Sequence, residues 1–124
     1  VHSSSAKRCV QTVQRYARHL DVELVPEPSL TEEGHKHDPD QAAARAVELV
    51  ALPEPLVLCS HRPVLPTILD AMADALGIDL SDPRWSRIWD PRLPPGGFIV
   101  AHRSFGPDGQ RTVVGLERHT LSGE

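Results

Sequence analysis

The run Leu56–Cys59, "LVLC", is fenced by prolines, with Pro53 and Pro55 before it and Pro63 and Pro66 after it. A proline removes a ladder donor and fixes φ, so a strand here can extend in neither direction. Four consecutive apolar or near-apolar residues imply burial on both faces, as in the interior of a parallel sheet. Ser60, His61 and Arg62 then fall where the strand ends and a helix begins. In an α/β sheet that edge is where ligands bind, close to the positive end of the following helix.

The rest of the chain alternates around this strand. Apolar residues at Ala6, Cys9, Val10, Val13, Ala17 and Leu20 keep the spacing of an amphipathic helix from Ala6 to Leu20, with Ser3 to Ser5 as N-cap candidates. "VELVPEPSL" reads as a short strand ended by Pro26 and Pro28, and "TEEGHKHDPD" as an exposed, turn-rich loop. A helix follows from about Pro39 to Ala51, opened by Asp38-Pro39, since proline fits the first helical turn. After the Leu56 strand, "VLPTILDAMADALG" is a helix closed by Gly77 in the left-handed conformation. "SDPRWSRIWDPRLPPGG" is a proline-rich connection. "GFIVAHRSF" and "TVVGLERHTL" are two β-rich runs joined through Asp108-Gly109, a strong hairpin signal. Strands alternating with helices predict an α/β fold, a three-layer α/β/α domain with a mostly parallel sheet, the Leu56–Cys59 strand at its centre and a β-hairpin at its end. Val1 to Ser5 reads as the end of a strand running into a loop, as in a domain cut from a longer chain.

A chain of 124 residues is one domain. Its net charge of −4 argues against a nucleic-acid or membrane-surface binder, either of which needs a basic face. No apolar run approaches the ~20 residues of a membrane span, and the start lacks a signal-peptide pattern, so a cytoplasmic, soluble protein is the expectation. Cys9 and Cys59 read as buried thiols of a reducing compartment.

Three segments carry chemistry. In "SSSAKRCVQT", Ser3 to Thr12, a serine-rich turn before a helix exposes backbone N–H groups, and Arg8 lies about one turn in, able to grip the same anion with two prongs. The alternative is that the serines only cap the helix and Arg8 is solvated. His61, at the carboxyl end of the strand, can bind or protonate a phosphoryl oxygen, or be structural, with Arg62 beside it as a surface charge. In "LTEEGH", Glu32 or Glu33 is a general acid if a pocket raises its pKa, and a solvated loop charge otherwise. His35 and His37 lack Cys or His partners at zinc-like spacing, so solvent exposure is expected of them, with no metal.

Taken together, these segments resemble the histidine phosphatases, the phosphoglycerate-mutase-like superfamily. "SSSAKRCVQT" is similar to the S-S-x-x-x-R-x-x-Q-T segment after the second strand of that family. "LTEE" is similar to the loop bearing the general acid, and "VLCSHRPVL" to the strand and turn bearing the second pocket histidine. Within the superfamily the nearest likeness is to the phosphatase-like tail behind a Nudix domain in actinobacterial MutT-type proteins, and the next to small bacterial phosphohistidine phosphatases. The likeness covers roughly residues 1 to 77, and the hairpin loosely.

The resemblance implies a hydrolase without a cofactor, acting through a phosphohistidine on phosphoanhydrides or phosphoesters, nucleoside polyphosphates among them. It implies that His61 and Arg8 clamp the phosphoryl oxygens with Ser4 and Arg62, and that Glu32, or its neighbour Glu33, protonates the leaving oxygen. The family's nucleophile lies in an Arg-His-Gly or Arg-His-Ala motif at the end of the first strand. Residues 1–124 are therefore expected to be one histidine-phosphatase-like domain without that strand and motif, inactive alone, with a Nudix domain upstream. Arg118-His119 supplies an Arg-His pair only under a circular permutation, and Thr120 replaces the small residue that lets phosphate approach. Two rival readings are a non-catalytic phosphate-binding or regulatory module, and a fragment that completes its sheet against another chain, such as a second copy.

Overall fold

In the computed structural model, residues 1–94, 96–107 and 111–120 are described. α1 (Lys7–His19) buries the stripe Cys9, Val13 and Ala17. α3 (Pro39–Val50) has proline in its first turn, and the Asp38 carboxylate accepts from the Gln41 N–H at 3.1 Å. α4 (Leu65–Leu76) ends at Gly77, whose φ of 71° is the left-handed cap that a side chain would disfavour. α3 and the end of α4 fall where the capping residues put them, but the start of α1 does not: its N-cap is Ala6, and none of Ser3–Ser5 caps it.

One predicted loop is a helix. α2 (Glu32–His37) occupies most of "TEEGHKHDPD". The Thr31 hydroxyl accepts from the Gly34 N–H at 2.9 Å and donates to the Pro28 carbonyl at 2.8 Å, while Glu32 and Glu33 supply the negative charge that a helix start favours. Asp38 ends this helix and caps α3. The proline-rich connection also contains a helical turn, α5 (Pro83–Ser86), capped by Asp82.

The strands are β1 (His2–Ser4), β2 (Val25–Glu27), β3 (Leu58–Cys59), β4 (Phe98–Phe105) and β5 (Arg111–His119). They form two sheets, a parallel one in the order β2-β1-β3 and an antiparallel hairpin of β4 and β5. This corrects the expected centre. The Leu58–Cys59 strand is a two-residue edge, and β1 lies in the middle. Val1 accepts from the Val25 N–H at 2.7 Å on one side, and His2 donates to the Val57 carbonyl at 2.8 Å on the other. Prolines 53 and 55 keep the chain before Val57 out of the ladder, and Leu56 and Leu58 use their apolar character at the rim of the helical core instead. Pro26 lies within β2, where an edge strand tolerates a missing donor. The architecture is α/β: a small parallel sheet with helices, and a C-terminal hairpin. The Asp108-Gly109 turn signal falls outside the described residues.

The core is centred on α3 and α4, with Leu30, Ala46, Leu49, Val64, Ile68 and Trp89 buried. The Trp89 indole donates to the Leu69 carbonyl at 2.8 Å, which satisfies its one polar atom. The hairpin packs Ile99, Ala101, Val113 and Leu116 against this core. Two arginines fasten it: Arg103 donates to the carbonyls of Val50 and Glu54 at 2.6 and 2.9 Å, and Arg118 to those of Asp90 and Arg92, both at 2.7 Å. Among the described residues no helix is long and apolar enough to cross a membrane.

Candidate functional site

Parallel neighbours deliver their following residues to the same edge. β1 and β3 pair Ser3 with Cys59, so Ser4 on one and Ser60 and His61 on the other leave the sheet side by side. His61 is only 9% exposed. Its Nε2 lies 2.8 Å from Ser4 Oγ, which also accepts from the Ala6 N–H at 3.2 Å. Cys9, one turn into α1, sets its sulfur 3.6 Å from Nε2 and 3.8 Å from Nδ1 while donating to the Ser60 carbonyl at 3.4 Å. The Ser60 hydroxyl reaches the Leu30 carbonyl at 2.7 Å, tying the end of β3 to the turn before α2.

That turn brings the acid in. Glu32 opens α2, and its Oε1 lies 3.8 Å from His61 Nδ1 and 4.0 Å from an Arg8 nitrogen. Gly34 makes this possible, because a Cβ there would sit 2.4 Å from the Pro28 carbonyl oxygen. These elements enclose an open groove of about 790 Å³ whose walls include Lys7, Arg8, Glu32, Glu33, His37 and His61.

The charge at the start of α1 is inverted relative to an ordinary helix. A helix N-terminus carries partial positive charge and favours acidic neighbours. Here the first turn holds no acid and no side-chain cap, and Lys7 and Arg8 add to the positive end. Uncapped N–H groups plus two cations leave this corner short of negative charge, and Glu32 at 3.8–4.0 Å offsets it only loosely. An oxyanion fits that deficit. Cys59 does not contribute a nucleophile, because burial first, and then the neighbouring Cys9, push its thiol up to about 12.

Of the residues singled out in the sequence, Arg8, Glu32 and His61 share the groove. Glu33 also lines it, but Glu32 is the carboxylate in ion-pair range of His61. Ser4 is fully buried and turned onto His61. Arg62 points elsewhere, donating to the Leu93 carbonyl at 3.1 Å. His37 lines the groove, whereas His35 bonds the Thr67 hydroxyl at 2.7 Å. Arg118 is committed to backbone carbonyls, and His119 stacks on Phe98 with ring centroids 4.8 Å apart, away from the groove. Among the described residues no three His, Cys, Asp or Glu side chains are grouped to hold a metal ion.

Cys9, Thr31 and Gly34 are the parts of this site that sequence reasoning missed. Thr31 followed by two carboxylates is a helix-start signal, outweighed there by Gly34 and Asp38-Pro39. Nothing in the sequence marks Cys9, whose contact with His61 arises from the packing of α1 on β3.

No protein-family model matches the chain. It is similar to an 8-oxo-(d)GTP phosphatase of Mycolicibacterium smegmatis, 26% identical over 110 residues that cover 87% of this chain and 34% of that protein. The chain thus spans about a third of the length of this curated relative.

Proposed function

We propose that the chain carries the oxyanion clamp and the acid of a phosphatase, a hydrolase of phosphoanhydrides or phosphoesters with nucleoside polyphosphates as the favoured substrates. The observation that carries this reading is the convergence of Arg8, His61 and Glu32 on one groove at the uncapped start of α1. The distant likeness to a nucleotide phosphatase supports the substrate class.

In this reading His61 and Arg8 hold equatorial oxygens of the phosphoryl group while negative charge builds on them, helped by the first N–H groups of α1. Glu32, which at rest faces Arg8 and His61 as a carboxylate, is the group proposed to protonate the leaving oxygen once the bound phosphoryl group has taken over those two contacts. His61, tethered by Ser4 and packed against Cys9, serves as a clamp rather than as the attacking group. The resemblance to histidine phosphatases supplies the rest of the proposal. On that resemblance we propose a three-layer cytoplasmic domain, an attacking histidine on a strand before Val1 and a Nudix domain further upstream.

The 124 residues alone then bind phosphate weakly and hydrolyse almost nothing. Two charge-assisted hydrogen bonds contribute about 1.5–3 kcal/mol each, which after ordering leaves affinity for inorganic phosphate no better than about millimolar. The test is phosphate release from a nucleoside triphosphate and from an aryl phosphate, with the chain alone and with it extended by a strand bearing an Arg-His motif. The expected result is turnover only in the extended form, abolished by Arg8→Ala or His61→Ala. Robust turnover by the chain alone, lost in His119→Gln but not in His61→Asn, overturns the reading.

The tethering of His61 also suits a second reading, a non-catalytic phosphate-binding or regulatory module. Phosphate binding without turnover in the extended form selects it.

A further inference from the structure

Ser4 stands immediately beside the groove, yet its side chain is fully buried and has no path to a ligand there. Its surroundings define what its hydroxyl does instead. Oγ accepts one hydrogen bond, from the Ala6 N–H at 3.2 Å. The Ser3 hydroxyl is occupied with the Ser4 carbonyl at 2.9 Å. Among the described residues, the acceptor left for the Ser4 proton is His61 Nε2 at 2.8 Å. The reverse arrangement, with Nε2–H donating to Oγ, strands a buried hydroxyl proton without a partner, which native interiors avoid. A neutral imidazole that accepts at Nε2 carries its proton on Nδ1. Nδ1 is the ring nitrogen that faces Glu32, 3.8 Å from its Oε1.

We propose that Ser4 is a positioning residue that fixes His61 as the Nδ1–H tautomer and so presents an N–H, rather than a lone pair, to an oxyanion in the groove. The inference rests on the phosphatase reading and deepens it. Tautomer choice decides the sign of the interaction, because a bare Nδ1 repels the same phosphoryl oxygen that Nδ1–H binds. The Ala6 N–H reinforces the arrangement by occupying an Oγ lone pair and leaving the hydroxyl proton directed at the ring. Cys9 closes the remaining side: its S–H goes to the Ser60 carbonyl, and its sulfur lies against both ring nitrogens, which blocks rotation of the imidazole.

The experiment is long-range 15N–1H correlation of the histidine rings in the 124-residue chain, at a pH where His61 is neutral, with inorganic phosphate as the probe ligand. The wild-type chain is expected to show the Nδ1–H pattern for His61. Ser4→Ala is expected to release the bias towards Nε2–H and to weaken phosphate binding by about tenfold. Ser4→Thr, which restores the hydroxyl, is expected to keep both. A wild-type spectrum with the proton on Nε2 overturns the proposal without any variant, so a failure of Ser4→Ala to fold does not shelter it. An Nδ1–H pattern unchanged in a folded Ser4→Ala chain overturns it as well. If the tautomer responds to Ser4 as expected while the wild-type chain binds no phosphate, the phosphatase reading fails and the control of His61 by Ser4 stands.

Discussion

Two clusters in this molecule join histidine to glutamate, and they are built in opposite ways. On the outer face of the hairpin, Glu117 bonds His102 at 2.5 Å and His119 at 3.2 Å, with all three side chains about half exposed. In the groove, Glu32 stands 3.8 Å from His61, whose side chain is 8% exposed and held by Ser4 and Cys9. The hairpin contacts are shorter, but each group there has its partner and water competes for all of them. The groove contacts are looser, yet the imidazole is oriented and the cations at the start of α1 are not fully matched. Residue types alone do not distinguish the two clusters. Fixed orientation combined with unspent hydrogen-bonding capacity does, and only the groove has both.

The largest expected effect breaks the support of the groove while sparing the hairpin. Alanine in place of a helical glycine ordinarily stabilises by about 1 kcal/mol. At Gly34 the new Cβ meets the Pro28 carbonyl at 2.4 Å, a backbone atom that cannot step aside. Gly34→Ala is therefore expected to destabilise by about 2–3 kcal/mol, as overpacking does. At Gly115 of β5 the Cβ would meet a His102 carbon at 3.6 Å, an ordinary contact, so Gly115→Ala is expected to change stability by less than about 0.5 kcal/mol. Urea midpoints of the two variants compare them directly, and equal shifts dissolve the distinction.

The second effect is on binding. His61→Asn removes a charge-assisted bond of about 1.5–3 kcal/mol, so affinity for inorganic phosphate should fall about 10- to 100-fold. His119→Asn should leave it unchanged, since that ring stacks on Phe98 outside the groove. Titration calorimetry or ring chemical shifts measure both, and a loss in the hairpin variant alone reverses the assignment of the site.

Part of the fold was legible in the sequence, and the gaps have physical causes. Helical periodicity, Asp38-Pro39 and Gly77 mark α1, α3 and α4, because those signals act locally. The central strand "HSS" has no hydrophobic signature. Its serines are buried because their hydroxyls find partners in Ser4 O and His61, a pairing that appears only after folding. The apolar run at Leu56 pointed to a buried centre, but its prolines left two residues for the ladder, on an edge. α2 is six residues long and depends on the approach of Gly34 to the Pro28 turn, so composition reads it as a loop. Arg8, Glu32 and His61 could be picked out by their places after a serine turn, in the LTEE segment and at a strand end, whereas the inward turn of Ser4 and the contact from Cys9 belong to tertiary packing.

A third, smaller effect concerns Asp90, at the base of the hairpin. The Arg92 guanidinium holds its carboxyl at about 2, below the ordinary 3.8. A depressed pKa contributes stability that is present above the ordinary value and lost as pH falls through the folded one. Arg92 is largely exposed, so solvent screening keeps the contribution of the pair small. Asp90→Asn should therefore lower the urea midpoint slightly near neutral pH, and the difference from wild type should close as pH falls from 3.8 towards 2. A constant difference across that range assigns the loss to packing instead.

The smallest expected effect tests the hairpin cluster itself. Hydrogen bonds from His102 first, and then from His119, hold the Glu117 carboxyl below its ordinary 4.5. The sign is the same as for Asp90: any stabilisation is complete above the ordinary value and disappears as protonation sets in below it. Here every partner is open to solvent, so added salt screens the interaction as well. Glu117→Gln should shift Tm by an amount near the limit of detection at neutral pH and low salt, and by nothing measurable at high salt or once the carboxyl is protonated. Phosphate binding in the groove should not respond. If Glu117→Gln instead lowered phosphate affinity as much as His61→Asn, the two clusters would be acting as one site, and the separation drawn from burial and orientation would be wrong.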